Sequence, residues 1–264
     1  DDLLENLSFS GSDINDAFLE YRKYLKSQRE KAEEVNKKLK TAREEEDKKA
    51  EEKYKSQLEE INNKVFDKRE TLIEEHPNTF LATFLKATKD IEVPDPPKDA
   101  EGNITDSTFS YRYYRNHYWD NFDLGSPRLL YTSLYEPKLK RYFTKILPQY
   151  PDTLKPQLDW LISQAKANKE TYRFVLGTIF NHYNRSKVMG MDEVFVHVAD
   201  YYLRGETDWN DSSYIADLRE RVQKIKPNLL GKTAANFTLP TLENQYFSLH
   251  DVAADYTVLF FYEP

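Results

Sequence analysis

The chain has 264 residues, of which 31% are charged and 39% hydrophobic, and its formal net charge is −7. This acidic balance argues against a nucleic-acid binder, and no run of about 18 apolar residues is present to span a membrane. The absence of cysteine excludes disulfides, thiolate metal sites and a cysteine nucleophile from these residues. The aromatic share of 14% still provides enough large apolar side chains for a core.

The first third of the sequence is highly charged. Residues 1–12 look irregular and carry no signal-peptide pattern, and Asp13 is predicted to cap a helix that Asp16 supports in its first turn. No Gly or Pro occurs from Ile14 to Glu75. Apolar residues recur there at helical spacing on both sides of the wholly polar stretch 43–49. These stripe residues are Ile14, Phe18, Tyr21, Leu25, Ala32, Val35, Leu39 and Ala42, then Ala50, Tyr54, Leu58, Ile61, Val65 and Leu72.

Two structures fit this charged segment. A narrow apolar stripe with charged flanks is typical of a coiled coil, and folding at the polar middle gives an antiparallel hairpin in which each arm buries the other's stripe. The alternative is one continuous helix of about 90 Å, because no Gly or Pro marks a bend. That helix would expose its stripe and would therefore imply a dimer. The burial argument favours the hairpin, and the charges are interpreted as a solvated face in preference to a docking arm.

A short helix and a proline-rich stretch follow the arm. His76-Pro77 is predicted to end the long helical segment, and Asn78 or Thr79 is predicted to cap a short helix before residue 93. The prolines of residues 93–106 favour extended backbone. The sequence therefore predicts a first domain over residues 1–92 and a linker over residues 93–106.

An aromatic segment opens a predicted helical domain over residues 107–227. Tyr111, Tyr114, Tyr118 and Phe122 share one face of the first helix, which should therefore be well buried. Five more amphipathic patterns follow, around residues 136–146, 154–165, 172–183, 194–202 and 215–225, the last capped by Asp211 or Ser212.

The histidines are the residues to consider for a metal site. His117, His182 and His197 lie on three aromatic-rich helices and would make a metal site with Asp120 or Asp200 if they converged. The simpler interpretation is that each histidine donates a hydrogen bond to a nearby carbonyl or carboxylate, and we favour it. No metal and no cofactor is therefore predicted.

Other chemistry has little support in the sequence. Trp119 and Phe122 beside Asp120 and Asp123 have the composition of a sugar-binding platform, but a core role for the aromatic residues is favoured. Residues 181–184 form a polar patch, interpreted as a hydrogen-bonding cluster. No serine-nucleophile motif or glycine-rich phosphate loop occurs, so no catalytic residue is predicted. The polar and aromatic surface candidates are His117, Trp119, Asp120, His182 and His197.

The last segment, residues 228–264, is rich in strand signals. Two short strands are predicted around residues 236–239 and 246–249, with a turn at 243–245. The unbroken apolar run 256–262 is typical of a strand buried on both faces. A central strand needs neighbours to pair with, so we expect this sequence to stop within a domain.

These residues resemble the front of a thioredoxin-like domain of the TlpA/AhpC-TSA kind from bacterial envelopes. The resemblance rests on Gly-Lys-x-Ala-x-x-Phe-x-Leu from Gly231, a polar turn, Ser-Leu-His-Asp-Val from Ser248, and an apolar strand that ends in an aromatic residue and Pro. Ala235 stands where the family usually has Pro, and Glu243-Asn244 replaces its acidic-Gly turn. In that family a Cys-x-x-Cys follows the strand, which here implies a position beyond Pro264. The segments 111–148 and 181–203 resemble the helical region that precedes such a domain in some envelope proteins.

The expected fold is mainly α. It combines a charged, coiled-coil-like arm, an aromatic-cored helical domain and the first β-strands of an incomplete thioredoxin-like α/β domain. The resemblance implies the non-catalytic N-terminal portion of a thiol–disulfide oxidoreductase in the bacterial envelope or periplasm. The alternative is a helical interaction or scaffold module, with Leu25, Val35, Leu58 and Ile61 forming a partner interface. Both interpretations predict a protein partner, either a redox client or a second copy bound through the arm. A carbohydrate-active helical enzyme is a third interpretation, suggested only by the abundance of aromatic residues and carboxylates.

Overall fold

The computed structural model describes residues 2–241 and 243–260, without the side chains of residues 2 and 3. The chain is mainly helical and divides into two compact units, residues 1–142 and 143–264. The predicted domain boundaries at residues 92, 106 and 227 stay predictions. The α-helices are α1 (Asp2–Asn6), α2 (Asp13–Glu44), α3 (Lys48–Glu75), α4 (Phe80–Ala87), α5 (Phe109–His117), α6 (Pro127–Leu130), α7 (Tyr135–Arg141), α8 (Pro151–Ala165), α9 (Lys169–Asn184), α10 (Met191–Leu203) and α11 (Ser212–Ile225). A π-helical turn, Tyr142–Ile146, follows α7, and the strands in the described residues are β1 (Thr238–Pro240) and β2 (Tyr246–Ser248).

The charged segment forms two helices, α2 and α3, that pack against each other. The chain reverses at residues 45–47, where Glu46 has φ +57° and Asp47 caps α3 by accepting a hydrogen bond from the Ala50 N–H at 3.0 Å. The Tyr24 hydroxyl donates across the pair to the Lys64 carbonyl at 3.2 Å. The structure therefore adopts the hairpin. The predicted cap at Asp13 is wrong by one residue, because the Ser12 hydroxyl accepts from the Asn15 N–H and Asp13 is already helical.

The base of the hairpin is closed by α4. Thr79 caps this helix, as one of the two predicted alternatives, and its side chain accepts from the Ala82 N–H at 3.2 Å. A hydrophobic cluster joins α2, α3 and α4, with Phe18 and Phe84 edge to face at 5.9 Å. Its buried members are Tyr21, Leu72, Ile73, Leu81, Ala82 and Leu85.

The proline-rich stretch forms an ordered loop. The Asp99 carboxylate accepts hydrogen bonds from the backbone N–H groups of Glu101 and Asn103 at 3.0 and 2.8 Å. The hydrogen bond from the Asn103 backbone is the main cause that lowers the pKa of Asp99. The Thr105 N–H donates to the Pro97 carbonyl at 2.9 Å, so the two ends of the loop lie side by side.

The aromatic helix α5 is less buried than the sequence predicts. None of its residues is fully buried, and Tyr111 is 44% exposed. The predicted apolar face needs a helix that continues to Phe122, but α5 ends at His117 and the chain turns. Tyr118, Trp119 and Phe122 are buried after that turn, with Tyr118 stacked on Tyr142 at 5.2 Å.

The second unit is a helical bundle followed by a β-hairpin. Helices α8, α9 and α10 pack together, and α11 packs on α10. Fully buried residues of this bundle include Leu158, Leu161, Leu176, Ile179 and Val198. Asp211 caps α11 by accepting from the Tyr214 N–H at 2.8 Å, as one of the predicted alternatives.

The strand-rich segment matches the sequence prediction only in its first half. Antiparallel pairing aligns Thr238 with Ser248 and Pro240 with Tyr246, which confirms the predicted hairpin. The predicted strand over 256–262 is wrong for residues 256–260, which have no strand pairing, and Tyr256 is 92% exposed. Apolar β-branched composition favours a strand only where a neighbouring strand accepts its hydrogen bonds. Residues 261 and 262 lie outside the described residues.

Candidate functional site

An open groove in the first unit contains two of the predicted surface candidates. This α3–α5 groove has a volume of about 720 Å³. It is lined by Asn62, Asn63, Val65, Phe66 and Arg69 of α3, by residues 89–92 after α4, by Tyr113 and His117 of α5, and by Asp120 and Asn121. The lining carries charges of both signs, Arg69 and Lys89 against Asp90 and Asp120, beside the rings of Phe66 and Tyr113.

An ion-pair network supports the α3 wall of this groove. The Glu70 carboxylate lies 2.9 Å from the Lys89 ammonium and 3.7 Å from Arg69 Nε. Both cations also lie over the Phe66 ring, at 5.4 Å for the Arg69 guanidinium and 5.8 Å for the Lys89 ammonium. Phe66 is 39% exposed, so the network presents an aromatic side chain flanked by two cations.

His117 and Asp120 form the opposite wall. His117 Nδ1 lies 2.6 Å from the Asp120 carboxylate, and the imidazole lies on the Tyr113 ring at 4.1 Å. The spacing of three residues across the end of α5 brings these groups together. Asp120 and Tyr113 together fix the orientation of the imidazole, and the contact with Asp120 matches the simple hydrogen-bonding interpretation.

Trp119 is not a surface residue. Its ring is only 9% exposed, and it packs edge to face on Tyr118 at 5.0 Å. The Lys138 ammonium lies over this aromatic cluster, 4.7 Å from the Tyr118 ring, and burial lowers the pKa of Lys138. The core role favoured for these aromatic residues is therefore the one that the structure shows.

The other two histidine candidates belong to the second unit. His197 Nε2 lies 2.7 Å from the Asp159 carboxylate, which also accepts a hydrogen bond from the Tyr201 hydroxyl at 2.7 Å. Burial, followed by the hydrogen bond to Asp159, raises the pKa of Tyr201. His182 is exposed and lies edge-on to Phe143 at 5.2 Å. Within residues 2–241 and 243–260, no group of three or more His, Asp or Glu residues is arranged to hold a metal ion.

A second groove was missed by the sequence analysis. This α9–α10 groove has a volume of about 440 Å³ and lies at the corner between those helices. It is lined by Tyr183 and Asn184, residues 186–190, Asp192, Phe195, Arg221, Ile225, Asn228 and Leu230. The polar patch at 181–184 was the available signal, but Arg221, which donates to the Asn184 carbonyl at 3.5 Å, is distant in the sequence.

The described residues form a mainly helical fold with a short β-hairpin, and grooves open on its surface. The chain belongs to the family described as Domain of unknown function (DUF5106), whose model matches residues 37–228, more than half of the chain. Among solved structures, the chain is similar to a thioredoxin-like protein from Bacteroides caccae, at 17% identity and a TM-score of 0.43. The match covers 63% of this chain and 59% of that one. No curated protein gives a match. Within the described residues, no helix combines the length and apolar character needed to cross a bilayer.

Proposed function

We propose that this chain is the non-catalytic, partner-binding portion of a thiol–disulfide oxidoreductase of the bacterial envelope or periplasm. In such a reaction a low-pKa thiolate at a helix N-terminus attacks a partner's disulfide, and a second cysteine resolves the mixed disulfide. The sequence has no cysteine. Both sulfurs would therefore come from a TlpA/AhpC-TSA-type domain that begins within residues 228–264 and whose Cys-x-x-Cys follows Pro264.

The hairpin of β1 and β2 is the observation that carries this proposal. The two strands and their turn occur where the resemblance to a thioredoxin-like domain predicts them. His250 Nε2 lies 2.8 Å from the Ala234 carbonyl. This contact joins the Ser-Leu-His-Asp-Val segment to the segment that begins at Gly231. Asn244 has φ +58°, so it occupies the left-handed position for which the family uses Gly, and Asn tolerates that conformation. The replacement of Gly by Asn244 therefore keeps the backbone conformation that the family turn requires.

The α3–α5 groove is our proposed docking site for the client protein. Its exposed Phe66 is a suitable apolar anchor, and the Arg69 guanidinium beside it is a suitable partner for a carbonyl or carboxylate of the client. Aromatic and Arg side chains are the residues most often dominant in protein interfaces. His117 and Asp120 would contribute polar contacts from the opposite wall.

An insulin-reduction assay tests the redox part of the proposal. With dithiothreitol as the reductant, the 264-residue chain should not accelerate insulin reduction because it has no thiol, whereas the polypeptide that continues past Pro264 should catalyse it. Replacing the two expected cysteines by Ser should abolish that activity. The absence of a Cys-x-x-Cys directly after Pro264 would contradict the proposal.

A comparison of substrates tests the docking part. In the longer polypeptide, Arg69→Met should raise KM for insulin without changing the rate with a small aromatic disulfide, because only the protein substrate reaches the groove. Arg128→Met is the control, since Arg128 is an exposed arginine of α6 in the same unit and lines neither this groove nor the groove beside α2. Equal effects of Arg69→Met on both substrates would exclude docking in this groove.

Self-association through the arm is the second candidate function. An apolar groove of about 860 Å³ lies beside α2 and is lined in part by Leu7, Phe9 and Leu25. A second copy could cover these side chains, with the coiled-coil-like arm as the contact surface. Light scattering should then give about twice the chain mass of 31.3 kDa, and Leu25→Asp should return it to the single-chain value. Lys31→Asp, on the exposed side of α2, is the control, and a wild-type monomer at micromolar concentration would rule this function out.

A further inference from the structure

The segment from α5 to α7 is basic, although the chain as a whole is acidic. Residues 109–141 contain six Lys and Arg residues and three Asp and Glu residues, which gives a formal net charge of +3 against −7 for the whole chain. Arg112 and Lys140 are paired with Asp106 and Glu136. The other cations of this segment form no ion pair with any described residue, and they are Arg115, Arg128, Lys138 and Arg141. Most of the positive charge here is therefore not neutralised by direct contacts.

Three of these cations surround one pair of aromatic rings. Tyr118, just after α5, stacks on Tyr142, just after α7, at 5.2 Å. The Lys138 ammonium lies 4.7 Å from the Tyr118 ring. Burial raises the pKa of Tyr142, and the nearby positive charge of Arg115 opposes that rise. Burial also raises the pKa of Tyr118, and there the charge of Arg141 opposes the rise. Arg115, Lys138 and Arg141 therefore lie in one part of the first unit.

The outer part of this cluster is accessible. Arg141 is exposed and Arg115 is half-buried, with its guanidinium 5.8 Å from the centre of the Tyr111 ring. Tyr111 is 44% exposed. We call Tyr111, Arg115, Lys138 and Arg141 the α5–α7 face. None of its members lines the α3–α5 groove, so it is a separate surface.

The two arginines are the cations that a partner can reach. Lys138 is half-buried over the aromatic rings, where burial lowers its pKa and the charge of Asp90 opposes that effect. It therefore adds positive potential from beneath and is already partly balanced. A guanidinium can donate two parallel hydrogen bonds to one carboxylate, which is a geometry that a lysine ammonium cannot provide. Arg115 and Arg141 are thus suited to carboxylates.

We propose that the α5–α7 face binds a short acidic segment of a protein partner, in which carboxylates flank an apolar residue. The carboxylates would pair with Arg115 and Arg141, and the apolar residue would pack on the exposed Tyr111 ring. Tyrosine and arginine are the side chains that most often dominate the binding energy of protein interfaces. This inference does not depend on the proposed redox function.

The charge of the remaining chain favours a short partner segment over a long polyanion. Outside residues 109–141 the formal net charge is −10. At physiological ionic strength the screening length is about 8 Å, so a short segment interacts mainly with the face on which it lies. A nucleic acid or an anionic membrane extends much further and would also meet the acidic surface. Charge complementarity at this face therefore favours an acidic protein segment.

A pair of matched peptides is the direct probe. Acetyl-Glu-Glu-Phe-Glu-Glu-amide, titrated into the full chain by calorimetry, should bind saturably with a Kd below about 1 mM. The glutamine analogue acetyl-Gln-Gln-Phe-Gln-Gln-amide keeps the shape and the ring but has no charge, and it should bind at least about ten-fold more weakly. The affinity of the acidic peptide should fall as salt is added. Equal binding of the two peptides, or no binding of either, would overturn the proposal.

Variants locate the binding. Arg115→Gln and Arg141→Gln each remove one charge and should weaken the acidic peptide about five-fold, with the helical circular dichroism unchanged. Arg219→Gln, at an exposed arginine of α11 in the second unit, removes the same charge and should leave the affinity unchanged. Unchanged affinity in both Arg115→Gln and Arg141→Gln would contradict the proposal, as would equal weakening by Arg219→Gln. Tighter binding of oligothymidylate or of anionic phospholipid vesicles than of the acidic peptide would also overturn it, because the partner would then not be a protein segment.

Discussion

Glu70→Gln should destabilise the first unit by about 2 kcal/mol, because Glu70 is the carboxylate between two cations of the α3–α5 groove. The Glu70–Lys89 pair is 2.9 Å long, and its side chains are only 29% and 25% exposed. At that distance and an effective dielectric constant near 20, the attraction is roughly 6 kcal/mol before desolvation. Exposed pairs contribute about 0–1 kcal/mol and breaking a buried pair costs about 3–5 kcal/mol, so a partly buried pair should fall between them.

Glu60→Gln is the matched control for this experiment. Glu60 lies on the same helix and pairs with Lys64 at 2.6 Å, but its side chain is 65% exposed. Its replacement should destabilise the chain much less than Glu70→Gln does, because an exposed ion pair is screened by solvent. Urea unfolding followed by circular dichroism gives the overall effect, and hydrogen exchange of residues 85–95 shows whether the segment carrying Lys89 opens locally.

A double variant completes the test of the ion pair. Lys89→Met added to Glu70→Gln removes the cation that the first change leaves without its carboxylate, and it should recover part of the lost stability. Equal destabilisation by Glu70→Gln and Glu60→Gln would refute the reasoning, since burial would then not set the strength of the pair. The reasoning would also be refuted if the changes in unfolding free energy of Glu70→Gln and Lys89→Met simply added in the double variant.

Other predictions follow from the backbone and the core. Glu46→Gly should stabilise the hairpin turn by about 0.5 kcal/mol, because Glu46 has φ +57°, whereas Glu45→Gly next to it, in right-handed conformation, should destabilise it. Thr171→Val should cost about 1–3 kcal/mol in urea unfolding, because the buried hydroxyl donates to the Ala165 carbonyl at 2.8 Å, and Thr171→Ser should cost less. Burial raises the pKa of Tyr118 from 10.0 to about 12, so the folded chain holds this proton more tightly than the unfolded chain. The protonated Tyr118 hydroxyl therefore adds to the free energy of unfolding below pH 10, and this contribution should be lost as the pH rises toward 12. The free energy of unfolding of Tyr118→Phe should fall less than that of the wild type over the same pH range.

The sequence predicts several helix starts because a capping side chain marks them. Thr79, Asn168 and Asp211 each cap a helix with a side-chain oxygen that accepts from the backbone. The turn of the hairpin was harder to locate, because it contains neither Gly nor Pro and uses Glu46 in the left-handed region. Only the burial argument distinguished a hairpin from a single long helix, because the apolar stripe of each arm is buried only when the two arms pack together.

The candidate sites were less predictable, because they depend on contacts between distant segments. His117 and Asp120 are three residues apart, so their pairing follows from local spacing, whereas the Arg69 side of the same groove comes from a different helix. Periodicity overestimated the burial of α5, because the helix ends at His117 and breaks the predicted face. Composition likewise predicted a strand at 256–260 without being able to predict whether a neighbouring strand pairs with it.

The loop closed by Asp99 shortens the distance that the proline-rich stretch can span. Nine extended residues would span about 30 Å, yet the backbone of Thr105 returns to within 2.9 Å of the Pro97 carbonyl. Those residues therefore add almost no reach to the polypeptide path from α4 to α5. The tip of this loop lies near Gly102, where φ is +88° and an added β-carbon would meet no atom of the described residues within 4 Å. A short epitope or fluorescent reporter inserted at Gly102 would leave the spacing of α4 and α5 unchanged, and it would not alter the lining of the α3–α5 groove.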